Sequence, residues 1–149
     1  MKKRILVVSH NSVERTLIYN LLNRFNYEII SDTNGEECLM KARSERPNLI
    51  ILDVFIFKKN GFIVCRMLKS IPSLAQIPVI LLTNATKKDD EFWGADMYIS
   101  KPLDYSKLIK AVFHYLSKHL LLRYEREERR QQRQKDREQL FFLHHGFFV

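Results

Sequence analysis

Cysteine is scarce, with only Cys38 and Cys65 in 149 residues. Two such distant thiols cannot build a disulfide framework or a CxxC metal site, and they fit small apolar fillers in a reducing compartment. No stretch of about 18 uncharged apolar residues occurs, which excludes a helix that spans a membrane. The apolar run after the basic start Met1–Arg4 stops after four residues, short of the ~7–15 that a secretory leader needs. A cytoplasmic location is therefore expected, with no membrane partner. Glycine and proline number four each, and 46% hydrophobic with 28% charged residues is an ordinary globular balance. Collagen-like structure and wholesale disorder are excluded. The net charge of +8 suits a nucleic-acid partner only if it is gathered on one face.

The length fits one domain with some residues left over. Ile5 to Val8, Leu49 to Leu52 and Val79 to Leu82 are short, wholly apolar runs, the pattern of strands buried on both faces. Tyr27 to Ser31 and Met97 to Ser100 read as two further strands. Between them lie helical segments. Asn11 and Glu14 have the spacing of a helix cap and its reciprocal partner, followed by an apolar stripe of Val13, Leu17, Leu21, Leu22 and Phe25. Asn34-Gly35 opens a second helix with Cys38, Leu39 and Ala42, and Gly61 to Ser70 forms a third. Lys87 to Trp93 can hold at most about two helical turns. Asp104 caps a last helix with apolar positions from 108 to 120. Alternating strands and helices predict a doubly wound five-stranded parallel sheet with helices on both faces.

In such sheets the chemistry gathers at the carboxyl ends of the strands. Those ends carry Ser9 and His10, Asp53, Thr83 and Lys101. A carboxylate, a hydroxyl and an ammonium in one crevice suit acceptance of a phosphoryl group: Asp53 attacks, Thr83 hydrogen-bonds an equatorial oxygen, and Lys101 neutralises charge.

The stretches Arg4–Val8, Pro47–Val54, Gly61-Phe62, Ile77–Thr83 and Gly94–Pro102, in this order and spacing, resemble the receiver domain of two-component response regulators. The resemblance runs from about Arg4 to Leu122 and implies a flavodoxin-like fold. It implies that Asp53 is the phosphoacceptor, Thr83 the switch hydroxyl, Lys101 the phosphoryl-binding lysine and Tyr98 the switch aromatic. It also implies a cis bond at Lys101-Pro102.

Three departures from the family stand out. Ser9 and His10 occupy the places of two acidic residues that hold Mg²⁺ with the phosphoacceptor, and Phe55 lies in the remaining part of that site. A serine and an imidazole replace hard anionic ligands poorly, so Mg²⁺ is expected to bind weakly or not at all, and no other cofactor is expected. Asp53 and Lys101, one minus and one plus, would then pair without a metal. The segment between Thr83 and Gly94 is about four residues short, roughly one helical turn. The loop after Asp53 lacks the usual proline and adds Phe55, Phe57, Lys58 and Lys59.

The chain divides into a receiver-like domain over 1–122 and a charged helical extension with an apolar tail over 123–149. Lys118 to Glu138 holds eight basic and five acidic residues. Their signs are interspersed, which suits a solvated helix rather than a nucleic-acid reader. Leu140 to Val149 is rich in phenylalanine and leucine, and such a patch suggests self-association, a symmetric dimer being the commonest solution. The expected function is that of a single-domain response regulator in a phosphorelay, signalling by protein–protein contact. Its partners would be a histidine kinase or phosphotransfer protein and a downstream protein target, with no enzymatic activity beyond slow self-phosphorylation. A phosphorylation-independent pseudo-receiver adaptor and a small nucleic-acid-binding regulator are the alternatives.

Overall fold

A computed structural model describes residues 2–56, 58–84 and 94–146. Five strands, β1 (Arg4–Val8), β2 (Glu28–Asp32), β3 (Leu49–Asp53), β4 (Val79–Thr83) and β5 (Met97–Ser100), form one parallel sheet in the order β2-β1-β3-β4-β5. Successive side chains of a strand point to opposite faces. Ile5, Val7, Leu49, Ile51, Ile80 and Leu82 accordingly enter one core, while Leu6, Val8, Ile50, Leu52, Val79 and Leu81 enter the other. Burial on both faces is why these strands read as unbroken apolar runs. The first face is covered by α1 (Ser12–Asn23) and α4 (Tyr105–Leu116), the second by α2 (Gly35–Glu45) and α3 (Gly61–Ser70).

Each of these helices begins on a side chain that satisfies an orphan amide. Asn11 accepts from Glu14 N–H, Asn34 from Glu36, Asn60 from Phe62, and Asp104 from Ser106 and Lys107. Gly61 also meets a steric demand. A Cβ there would collide with the Asp53 carbonyl oxygen and come within 2.6 Å of Val54 Cα, so only glycine lets α3 start beside the end of β3. Cys38 and Cys65 are fully buried, and burial pushes their thiols up to about 12 and about 11. They act as apolar fillers.

Three details differ from the sequence reading. The buried stripe of α1 centres on Ile18 and Leu22, whereas Val13 and Leu17 are 66% and 46% exposed. The last helix is two helices. The backbone breaks at Ser117 (φ −153°, ψ 69°), whose hydroxyl bonds Tyr27 Oη at 2.7 Å, and α5 runs from Lys118 to His145. The division at 122 falls inside α5, which lies along α4 past that point. Tyr124 packs edge-on against Phe113 at 5.9 Å, and Glu128 bonds Lys110 at 2.5 Å and Ser106 at 2.9 Å. Every residue from 129 to 146 is exposed. The shortened helix expected over 87–93, Trp93, Phe57 and the last three residues of the tail lie outside the described residues. Among the described residues no helix is long and apolar enough to cross a membrane.

Candidate functional site

A parallel sheet delivers all its strand ends to one edge, and the crevice opens where strand order reverses, here between β1 and β3. The register sets Val8 beside Leu52, Asp53 beside Leu82 and Thr83 beside Ser100. The next residues in each chain therefore converge. Asp53, Thr83 and Ser9 are buried, at 0%, 1% and 1% exposure. Lys101 is anchored by its own amide, which donates to the Thr83 carbonyl at 2.9 Å, and the Lys101-Pro102 bond is cis, as the resemblance implied.

One carboxylate oxygen of Asp53, Oδ1, accepts the Phe55 N–H at 2.9 Å. The other, Oδ2, accepts a hydrogen bond from the Lys101 ammonium and lies 3.5 Å from Ser9 Oγ. The ring of Phe55 caps the pocket, with Lys101 Nζ 5.7 Å from its centroid. Tyr98, at the far side of β4, is partly buried against the α2–α3 core, and its hydroxyl accepts the Ala95 N–H at 3.2 Å. The structure thus brings Ser9, Asp53 and Lys101 into direct contact, with Thr83 at the adjacent strand end. Tyr98 is set back on β5.

The residue missing from the sequence reading is Glu14. Its amide does meet the Asn11 cap, but its side chain does not close the capping box. It turns into the crevice instead, where Oε2 accepts the Ser9 hydroxyl at 2.6 Å and Oε1 lies 3.3 Å from Lys101 Nζ. A signal for this existed in the spacing. Glu14 stands four residues before Ile18 and eight before Leu22, so it heads the stripe of α1 that faces the sheet. The expected balance of one carboxylate and one ammonium is therefore corrected to two carboxylates sharing one lysine.

Burial raises the pKa of Glu14, and its hydrogen bond to the Asp53 carboxyl raises it further, against the opposing pull of Ser9 and Lys101. Burial alone would lower that of Lys101. The hydrogen bond and charge of Asp53, aided by Glu14, outweigh it and hold the ammonium above its ordinary range. An acid with a raised folded-state pKa binds more protons folded than unfolded, so stability falls as pH rises above the unfolded carboxyl value. Glu14→Gln keeps the shape and removes that loss. The variant is expected to be more stable than the parent at pH 7 and no more stable at pH 4, in urea unfolding. A gap that does not change between pH 4 and pH 7 would show that folding leaves the Glu14 carboxyl at its unfolded value.

The donors at this crevice do not suit Mg²⁺, which asks for hard oxygen ligands in near-octahedral array. Ser9 and His10 offer no carboxylate. The Phe55 carbonyl is already engaged, since it accepts from His10 Nδ1–H at 2.6 Å and more weakly from the His10 amide at 3.4 Å. Asp53 and Glu14 are both bridged by Lys101, whose fixed positive charge lies where the two carboxylates converge. Among the described residues no group of three or more His, Cys, Asp or Glu side chains is placed to hold a metal ion.

The chain is similar to several known proteins. The alkaline phosphatase synthesis transcriptional regulatory protein PhoP of Bacillus subtilis is 39% identical over 109 residues, covering 68% of this chain and 43% of PhoP. The polar-differentiation response regulator DivK of Brucella anthropi is 35% identical over 120 residues, covering 78% of this chain and 98% of DivK. The chain therefore spans under half of the former and nearly all of the latter. In structure it is similar to the chemotaxis response regulator CheY4 of Vibrio cholerae, with a TM-score of 0.71 at 25% identity over 78% of this chain and 100% of that one. It is also similar to the signal receiver domain of a histidine kinase from Syntrophus aciditrophicus, with a TM-score of 0.72 at 33% identity over 78% and 92% of the two chains. Residues 5–113 match the response regulator receiver domain, from the start of β1 into α4, and the chain belongs to that family.

Proposed function

We propose that this chain is a cytoplasmic signalling receiver in a phosphorelay, with Asp53 as phosphoacceptor at a pocket that holds Mg²⁺ poorly. Receiver domains are signalling proteins, and this one would act by protein–protein contact rather than as an enzyme. The observation that carries the reading is the Asp53 carboxylate at the end of β3, bonded by the Lys101 ammonium and next to the Thr83 strand end. In transfer, an Asp53 oxygen attacks phosphorus and forms the new O–P bond while the bond to the donor breaks. The electron pair leaves with the donor, a phosphohistidine of a kinase or phosphotransfer protein. Lys101 neutralises the incoming charge, and the Thr83 hydroxyl donates to a phosphoryl oxygen. The change would reach a downstream protein through the face near Tyr98.

A second reading, a phosphorylation-independent adaptor, is favoured by Lys101 bridging Asp53 and Glu14, because the pocket then has a stable state without a phosphoryl group. Mass spectrometry after treatment with acetyl phosphate, with and without Mg²⁺, separates the two. A gain of one phosphoryl mass on the parent and none on Asp53→Asn is expected. No gain on the parent under either condition would leave the adaptor.

A further inference from the structure

The charges interspersed along the extension separate in space once it is helical. At 3.6 residues per turn, Arg126, Arg129, Arg130, Arg133 and Arg137 fall within about 100° of one another. All five are exposed, and with Leu140 they line a single shallow trough that carries one acid, Asp136, at its edge. The glutamates lie on other sectors, and Glu128 is already held by Lys110 and Ser106. This stripe faces away from the body of the protein. Tyr124 marks the docked side by its contact with Phe113, and Arg126 follows about 200° round the helix.

The stripe runs into an apolar end. Leu140, Phe141, Phe142 and Leu143 are 54%, 52%, 50% and 56% exposed, and four consecutive positions surround the helix with apolar surface. Phe141 stacks on His145 at 4.0 Å and meets Phe142 edge-on at 6.0 Å, which makes the end a compact aromatic knob. From Arg129 to His145 the exposed part of α5 extends about 25 Å. The family match ends at residue 113, so none of α5 belongs to it.

Three occupants differ in what they would cover. A nucleic acid would pair its phosphates with the arginines and leave the phenylalanines in water. A second copy would cover the phenylalanines, but pairing through the trough would set arginine against arginine across the twofold axis. A bilayer rich in anionic lipid covers both, because its phosphates and its apolar layer lie side by side. Arginine suits that surface, since its planar fork matches phosphate oxygens. In place of the sequence expectation of no membrane partner, we propose that the distal half of α5 docks on anionic membrane surfaces, with the arginine stripe on the headgroups and the Leu140–Leu143 end inserted among the acyl chains. A weak apolar anchor and a basic patch, each insufficient alone, together give reversible attachment.

The test is sedimentation of the full chain with vesicles of phosphatidylcholine alone or mixed with phosphatidylglycerol. Binding to the mixed vesicles only is expected, and it should be lost as salt rises. Arg130→Gln with Arg137→Gln is expected to weaken partitioning by about 25-fold at low salt. Phe141→Ser with Phe142→Ser should weaken it by about tenfold or more. Both pairs lie on exposed helix, and circular dichroism would confirm that the fold is kept. Failure to bind mixed vesicles overturns the proposal, as does equal binding to phosphatidylcholine alone. So does a duplex DNA that removes the chain from vesicles while the Phe141→Ser, Phe142→Ser variant binds that DNA unchanged. A lipid-free dimer dissolved by that same variant, with no vesicle binding, would assign the apolar end to a second copy.

Discussion

Lys101→Met is expected to lower stability by about 3 kcal/mol at neutral pH, because it leaves a buried carboxylate without its counter-charge. Asp53 is fully buried, Glu14 is 11% exposed and Lys101 only 21%, so solvent screens these charges weakly. What remains for Asp53 is one amide from Phe55, a long contact with Ser9 and the neighbouring Glu14 carboxyl, none of which carries a positive charge. Methionine keeps most of the lysine's length and apolar stem, so the loss reports charge rather than volume. Pairing the change with Asp53→Asn removes the orphaned charge as well. The double variant is therefore expected to recover at least about 1 kcal/mol over the single one in urea unfolding. Equal losses would show that the two residues are not coupled. The sign with pH follows from the raised pKa of Lys101. Its contribution is complete below the unfolded lysine value and disappears as pH rises through the folded one, so parent and variant should converge in strong alkali.

The second large effect is a gain. Ser9→Asp combined with His10→Asp supplies two hard anionic ligands, and loss of the imidazole releases the Phe55 carbonyl that it now occupies. With Glu14 still present, the metal-free variant crowds four carboxylates around one lysine and should be less stable than the parent. Mg²⁺ at about 10 mM is expected to restore about 2–3 kcal/mol to it, corresponding to a dissociation constant of about 0.1 mM. The parent should gain less than about 0.5 kcal/mol under the same conditions. Thermal unfolding with and without the ion measures both. A parent that gains as much as the variant would mean that Glu14 already completes a metal site. Such a result would also overturn the reading of the pocket as metal-poor.

Local chemistry made most of the fold legible. The apolar runs of β1, β3 and β4 mark strands buried on two faces, and Asn11, Asn34 and Asp104 mark helix starts, because each signal acts within a few residues. The strand-end residues followed from the same pattern, since a parallel sheet places every carboxyl end on one edge. Glu14 was not legible in that way. A glutamate three residues after an asparagine satisfies a capping rule, and only the docking of α1 on the sheet, fixed by Ile18 and Leu22, decides that the carboxylate turns into the crevice. The break at Ser117 is equally non-local, because it depends on a tyrosine ninety residues earlier in the chain. The arginine stripe was not legible in the sequence either. Composition determined that the extension is basic and polar, but helical winding gathered its arginines and the packing of Tyr124 on Phe113 decided which side they face. Sequence determines what a residue can do within a turn or a strand. Distant packing, which sets the rotation of each helix about its axis, decides which charges meet.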